Sequence, residues 1–237
     1  MKVGIVILNY NSYGLTQKLV EHIRNFENIS NIIIVDNCST NNSCEVLQKI
    51  CFGNVELIKT AFNGGYASGN NVGCRYLIDN YNPEIIIISN PDVLFDEDYV
   101  LNVCQAFEEN PNYAAFTGLM CFPDGRQDSR QYLLLPNYWE DLMNCFAVGR
   151  IIVDNYLDKK IHVDYQKKIN IVKALPGSLF AVRTSSFLDI GMFDENTFLY
   201  YEENILGKKF ENSGIKMGLL TNCKYLHNHA ATIGNYV

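Results

Sequence analysis

Through residue 120 the chain alternates short β-rich runs with segments of helical period. "VGIVIL" (3–8) predicts a buried strand, and after it Leu15, Leu19, Ile23 and Phe26 fall at spacings of four, four and three, one apolar stripe of a helix. "NIIIV" (31–35) predicts a second strand, a helix follows around Cys44 to Ile50, and "VELIK" (55–59) predicts a third strand. "IIIIS" (85–89) is a fourth, and its apolar residues on both faces place it centrally. Between the third and fourth lies "NGGYASGNNVGCRYLID", whose front half reads as a glycine-rich turn and whose back half reads as a helix to Asp79. Repeated βα units of this kind predict an α/β fold, a Rossmann-like and mostly parallel central sheet flanked by helices.

From about Gly118 to Asn170 the pattern weakens. "FPDGR" (122–126) predicts a hairpin turn, while Trp139, Phe146 and Tyr156 follow no clean period. Order returns with "ALPGSLFAVR" (174–183), a short helix near Ser185 to Ile190, a helix over 202–212 and a last β-like run, "KMGLL". With no internal repeat and no linker, the chain reads as one domain over 1–237.

Composition narrows the partners. The 237 residues, 48% of them hydrophobic, suffice for a sizeable core, and 19 basic against 26 acidic residues give a formal charge of −7. No Lys and Arg cluster forms a phosphate-tracking surface, so nucleic acid is not the expected partner. No stretch reaches the roughly 20 apolar residues of a bilayer span, and "MKVGIVILNYNS" turns polar too soon for a signal peptide, which predicts a cytoplasmic protein. The eight cysteines are scattered without a CxxC pair, as expected of free thiols in a reducing compartment.

Polar strand ends supply the candidate chemistry. The loops "NYNSYG", "DNCSTNN" and "NGGYASGNN" follow the first three strands, and ligands of open α/β sheets sit beyond the carboxyl ends of such strands. Asp92, after the buried isoleucines and "SNP", suits a hard divalent cation that keeps open positions for diphosphate oxygens; a tight turn capping the helix that starts near Asp96 is the alternative. Asp36 can accept a hydrogen bond from the imide of a uracil or thymine, or close an Asx turn. The "NGGYASGNN" stretch can bring backbone N–H groups to a diphosphate, or serve only as a strand-to-helix turn. Glu202 and Glu203 in "YYEEN" supply either a general base or an acidic first helical turn. His227 and His229 in "HNHAAT" share one face of a strand, as a ligand site or as a surface pair.

The motifs "VILNYNS", "VDNCST", "NGGYASGNNVG", "NPDV", "PGSLFAVRTSSFLDIGMFDENTFLYYEEN" and "HNHAAT" stand in the same order, at similar spacing, as those of family 2 glycosyltransferases, and the chain resembles their rhamnosyltransferase-like branch over nearly its whole length. The resemblance implies a GT-A fold, a nucleotide-diphosphate sugar donor, a divalent metal (Mg or Mn) and inversion at the anomeric carbon. It implies a donor-binding half over 1–117 and an acceptor-side half over 118–237. Asn9, Tyr10, Asn11 and Asp36 would then surround the base, and Asn63, Gly64 and Asn70 would lie near nucleotide and ribose. Asn90 and Asp92 would form the metal motif, with Asn90 in place of its first carboxylate and Asp92 as main protein ligand; His227 would approach metal or diphosphate. Glu203 occupies the position of the base and Glu202 precedes it, while Ile205 replaces the usual next acid and Lys208 and Lys209 replace the usual arginines. The implied donors are UDP- and dTDP-sugars, dTDP-rhamnose first. The implied acceptor is a glycan, or a lipid-linked glycan reached by peripheral association with the inner face of the membrane.

Two other classes fit the same alternation. A non-catalytic sugar-nucleotide or glycan binding module would keep the fold without turnover, which Ile205 and the chain end at Val237 suggest. A nicotinamide-dependent oxidoreductase would need a GxGxxG fingerprint, which is missing here.

Overall fold

The four isoleucines of 85–88 divide by parity. Ile85 and Ile87 enter one apolar layer and Ile86 and Ile88 the other, all four fully buried, because successive strand residues point to opposite faces. The computed structural model describes residues 1–128 and 163–228. Its strands are β1 (Val3–Asn9), β2 (Ile29–Asp36), β3 (Val55–Lys59), β4 (Ile85–Ser89), β5 (Val93–Leu94), β6 (Tyr113–Cys121), β7 (Ile169–Val172), β8 (Leu179–Arg183) and β9 (Lys216–His227). The helices are α1 (Tyr13–Ile23), α2 (Ser43–Gln48), α3 (Gly65–Tyr81), α4 (Glu97–Glu109), α5 (Thr184–Asp189) and α6 (Glu202–Asn212).

All of these strands join one sheet in the order β3-β2-β1-β4-β8-β6-β9-β5, with β7 against β9. β1 to β4 pair in parallel, β8 runs antiparallel between β4 and β6, and β6 pairs in parallel with β9. Leu19, Leu47 and Val103 of α1, α2 and α4 cover one face, while Leu77, Phe187 and Phe210 of α3, α5 and α6 cover the other. The α1 connection from β1 to β2 and the α3 connection from β3 to β4 thus lie on opposite faces of the sheet, and ligands of such sheets bind beyond the strand ends where the winding reverses, here between β1 and β4.

The predicted strands 55–59 and 85–89 and the helix 202–212 match the structure residue for residue, and a turn at 122–126 closes through Phe122 N–H to Arg126 O at 2.8 Å. One expectation needs correction. The front half of "NGGYASGNNVGCRYLID" is not a turn beyond its first two residues, because α3 begins at Gly65 and runs straight through the rest. Gly69 and Gly73 lie one turn apart on the helix face against the sheet: a Cβ at Gly73 would come within 2.6 Å of Val6 Cγ1 and 2.7 Å of Val35 Cγ2, and one at Gly69 within 2.4 Å of Leu8 Cδ1. These two glycines serve close approach of helix to sheet. β6 and β7 have no counterpart in the sequence reading, and β9 extends well past "KMGLL". The seven described cysteines are free thiols.

Candidate active site

Parallel register places Asn9 opposite Asp36 at the ends of β1 and β2. Asn9 Nδ2 donates to Asp36 Oδ1 (2.8 Å) and Ser39 Oγ (3.2 Å), and its Oδ1 accepts from Thr16 Oγ1 (2.9 Å) and Ser12 Oγ (3.2 Å). Asp36 also accepts from Ser39 Oγ at 2.6 Å and from Ser39 N–H at 3.1 Å, closing an Asx-type turn. Both side chains are fully buried, so Asn9 braces Asp36 with an amide whose hydrogen bonds are internal.

Asn11, in the left-handed region at φ 55°, accepts from Thr40 N–H at 2.9 Å and joins the first loop to the second. Tyr10, between Asn9 and Asn11, is half-buried. Asn37 extends the network by donating to Asn63 Oδ1 (2.8 Å) and Gly65 O (3.0 Å), with Gly64 as the N-cap of α3. Asn70 is fully buried on α3, donating to Tyr66 O at 3.0 Å, while its Oδ1 has no partner among the described residues.

The start of α3 is not wholly available to a diphosphate. Tyr66 N–H donates to Phe198 O at 2.9 Å and Gly65 N–H to Asn63 Oδ1 at 3.0 Å. Gly65 has φ +83°, and a Cβ there would sit 2.0 Å from Phe198 O, so glycine is required where the 198 backbone crosses. One turn on, Asn71 holds the segment before α6 by donating to Phe193 O (3.1 Å) and Glu195 Oε1 (2.8 Å).

A second group surrounds a pocket of about 330 Å³ lined by Asn90, Met120, Gly177, Glu202, Glu203 and His227, among others. Antiparallel pairing of β4 with β8 sets Ser89 opposite Leu179 and lets Asn90 N–H donate to Ser178 O at 2.8 Å, which carries "PGS" to the end of the isoleucine strand. At the far end of the sheet β5 pairs with β9, Val93 opposite His227, and His227 Nε2 lies 3.3 Å from Asp92 Oδ1. Their side chains are 9% and 1% exposed. The two predicted metal ligands, 135 positions apart (227 − 92), are therefore neighbours. The helix that starts after Asp96 takes that residue as its N-cap, not Asp92. His229 and Thr232 lie outside the described residues.

Asp92 offers oxygen and His227 nitrogen, and among the described residues no third His, Cys, Asp or Glu completes a metal cluster. Two protein ligands beside a pocket fit a divalent cation that takes its other ligands from diphosphate and water.

Glu202 and Glu203 open α6 behind two tyrosines in left-handed conformation, Tyr200 at φ 71° and Tyr201 at φ 70°. Such backbone persists only where its surroundings fix it. Burial pushes the Glu202 carboxyl above its ordinary range and the charge of Glu203 adds to this; its Oε1 has no partner among the described residues. Burial raises Glu203 as well, opposed by backbone hydrogen bonds at Glu203 itself and at Gly177. Carboxyls raised by burial at a pocket wall are candidates for proton transfer.

Of the predicted residues, Asn90, His227, Glu202 and Glu203 line the pocket and Asp92 lies behind His227, while Asn9, Tyr10, Asn11, Asp36, Asn63 and Gly64 stand in the neighbouring loops, which do not line it. Asn37, Asn71, Tyr66 and Gly177 hold these groups together; Asn37 was expected only to help an Asx turn at Asp36, and the other three had no assigned role. Tyr66 and Gly177 lie inside the motifs "NGGYASGNN" and "PGSLFAVR", so the signal for them was position within a motif.

Fold and site define a GT-A type architecture, a nucleotide-diphospho-sugar transferase fold. The chain belongs to Glycosyl transferase family 2, whose profile matches residues 4–170. It is 25% identical over 226 residues to the low-salt glycan biosynthesis hexosyltransferase Agl10 of Haloferax volcanii, covering 95% of this chain and 67% of that protein. It is 24% identical over 221 residues to the rhamnosyltransferase WbbL of Escherichia coli, covering 91% and 79%. Among solved structures it resembles GalNAc-T7 with UDP, GalNAc and Mn²⁺, at a TM-score of 0.72 and 12% identity, over all of this chain and 47% of that one. The chain spans about half the length of that solved protein.

Proposed function

We propose that this chain is an inverting glycosyltransferase that moves a sugar from a uridine or thymidine diphosphate donor, dTDP-rhamnose first among them, to a hydroxyl of a growing cell-surface polysaccharide. The observation that carries the reading is one pocket walled by Asn90 and His227, with Asp92 3.3 Å behind, and by the two glutamates of α6. The similarity to WbbL supports rhamnose.

In this reading residues 1–117 bind the donor and 118–237 form the acceptor side of the same unit. The base would rest against the cluster of Asn9, Tyr10, Asn11 and Asp36, in which the buried Asp36 fixes the loops through its bonds to Asn9 and Ser39. Asn63, Gly64 and Asn70 border nucleotide and ribose. Asp92 and His227 would hold a divalent cation, Mg or Mn, and when bound it would neutralise charge on the leaving diphosphate.

Glu203 removes the proton of the acceptor hydroxyl as that oxygen bonds to the anomeric carbon; the bond to the diphosphate breaks and its electron pair leaves on the diphosphate oxygen. A single displacement inverts the anomeric centre. Glu202, beside it, keeps the site acidic and orients the hydroxyl. Among the described residues no helix is long and apolar enough to cross a membrane, so a lipid-linked acceptor would be met by peripheral association.

Glu203→Gln tests the reading. Transfer should fall by roughly 100- to 10,000-fold, the range a general base supplies, with donor affinity unchanged. Transfer at the wild-type rate in this variant would overturn the assignment, and donor binding by the wild type without any transfer would favour a non-catalytic binding module.

A further inference from the structure

Tyr66 belongs to the donor side of the molecule, on the first turn of α3, yet its side chain reaches the acceptor side. Its hydroxyl donates to Gly177 O at 2.6 Å, and its ring meets Phe193 edge-on with centroids 5.7 Å apart. The backbone of the same Gly177 lies against the Glu203 carboxylate and helps to hold its charge. A Cβ at 177 would lie 2.7 Å from Glu203 Oε1, so this stretch of backbone passes directly against the carboxylate. The backbone of Tyr66 makes a second link, its N–H holding Phe198 O at 2.9 Å just before the left-handed tyrosines that lead into α6.

We propose that Tyr66 is a positioning residue for the base, clamping Gly177 through its hydroxyl and Phe198 through its backbone so that Glu203 is held against the pocket. The inference rests on Glu203 being the base. The chemistry runs in one direction: a phenol donates to a carbonyl, and fixing the Gly177 peptide on its C=O side constrains the backbone that lies against the carboxylate. Burial keeps that phenol protonated, with its pKa well above the ordinary value and the charges of Glu203 and Glu202 adding to the rise. The ionisable neighbours of Glu203 are Glu202 on α6 and Tyr66 on α3, with His227 of β9 lining the same pocket. Tyr66 also ties donor to acceptor side, because Gly65 before it is bound to Asn37 at the end of β2 at 3.0 Å.

The test is Tyr66→Phe, which keeps the ring against Phe193 and removes only the hydroxyl. Its kcat should fall about tenfold, within the roughly 100-fold that a misplaced group can cost, with KM for the donor unchanged. The acid limb of its kcat profile should move to higher pH, since the Glu203 anion loses support. Gly177→Ala, which crowds Oε1 directly, should move that limb the same way and guards against a folding failure of the first variant. An unchanged kcat and acid limb in Tyr66→Phe, with Glu203→Gln inactive, overturns the proposal alone. Full activity in Glu203→Gln overturns the base assignment and this inference with it.

Discussion

Glu202 and Glu203 are adjacent in sequence but differ in what holds them. Glu203 has the Gly177 peptide to offset part of its burial, whereas Oε1 of Glu202 has no partner among the described residues. A carboxyl raised by folding binds its proton more tightly folded than unfolded. Its contribution therefore favours the fold at low pH and is lost as pH rises from the ordinary carboxylate value through the raised one. Glu202→Gln should accordingly be more stable than wild type at neutral pH, and the gain should vanish in acid where both are uncharged; urea unfolding at several pH values measures it. Gly65→Ala should lose about 1–3 kcal/mol from the left-handed backbone alone, with the contact to Phe198 O added, as read from the same unfolding curves. At this scale the sequence was informative about residue types at strand ends. It was silent on which side chains spend their hydrogen bonds internally, because Asn9 and Asp36 acquire those partners only when β1 and β2 align.

Elements were legible where one physical signal dominated. The isoleucine run predicted β4 because a strand covered on both faces has no polar parity, and the acidic start of α6 matched its bounds. "YAAFTGLMC" hid β6 for the same reason that it is a strand: after Tyr113 all of it is buried, and its one polar side chain, Thr117, is satisfied by Leu179 O at 2.7 Å on the neighbouring β8. The start of α3 was misread because glycine ordinarily breaks helices, whereas Gly69 and Gly73 are selected by proximity to Leu8, Val6 and Val35. Gly73→Ala should gain helix propensity yet lose about 1–3 kcal/mol through overpacking against the two valines, a sign that a urea titration would show directly.

Across the molecule the described strands form one sheet, in which chain-distant strands meet where the chemistry is proposed. β9 returns the chain to β5 and sets His227 beside Asp92, while β8 brings Gly177 and Ser178 to the end of β4. Motif order along the chain, through the family resemblance, singled out Asn90, Asp92, His227 and the glutamates, but the pairing that brings them near one another depends on strands with weak or short patterns. The central claim is that this gathering binds a nucleotide-diphosphate sugar with a divalent metal. Thermal shift of the purified chain with UDP- and dTDP-sugars, each with and without Mn²⁺ and repeated on Asp92→Ala, tests it most directly. A metal-dependent rise with one nucleotide is expected, about 2.7 kcal/mol of stabilisation at a hundredfold excess over Kd, and it should be lost in Asp92→Ala. A shift that ignores the metal and survives Asp92→Ala, or no shift with any donor, would contradict it.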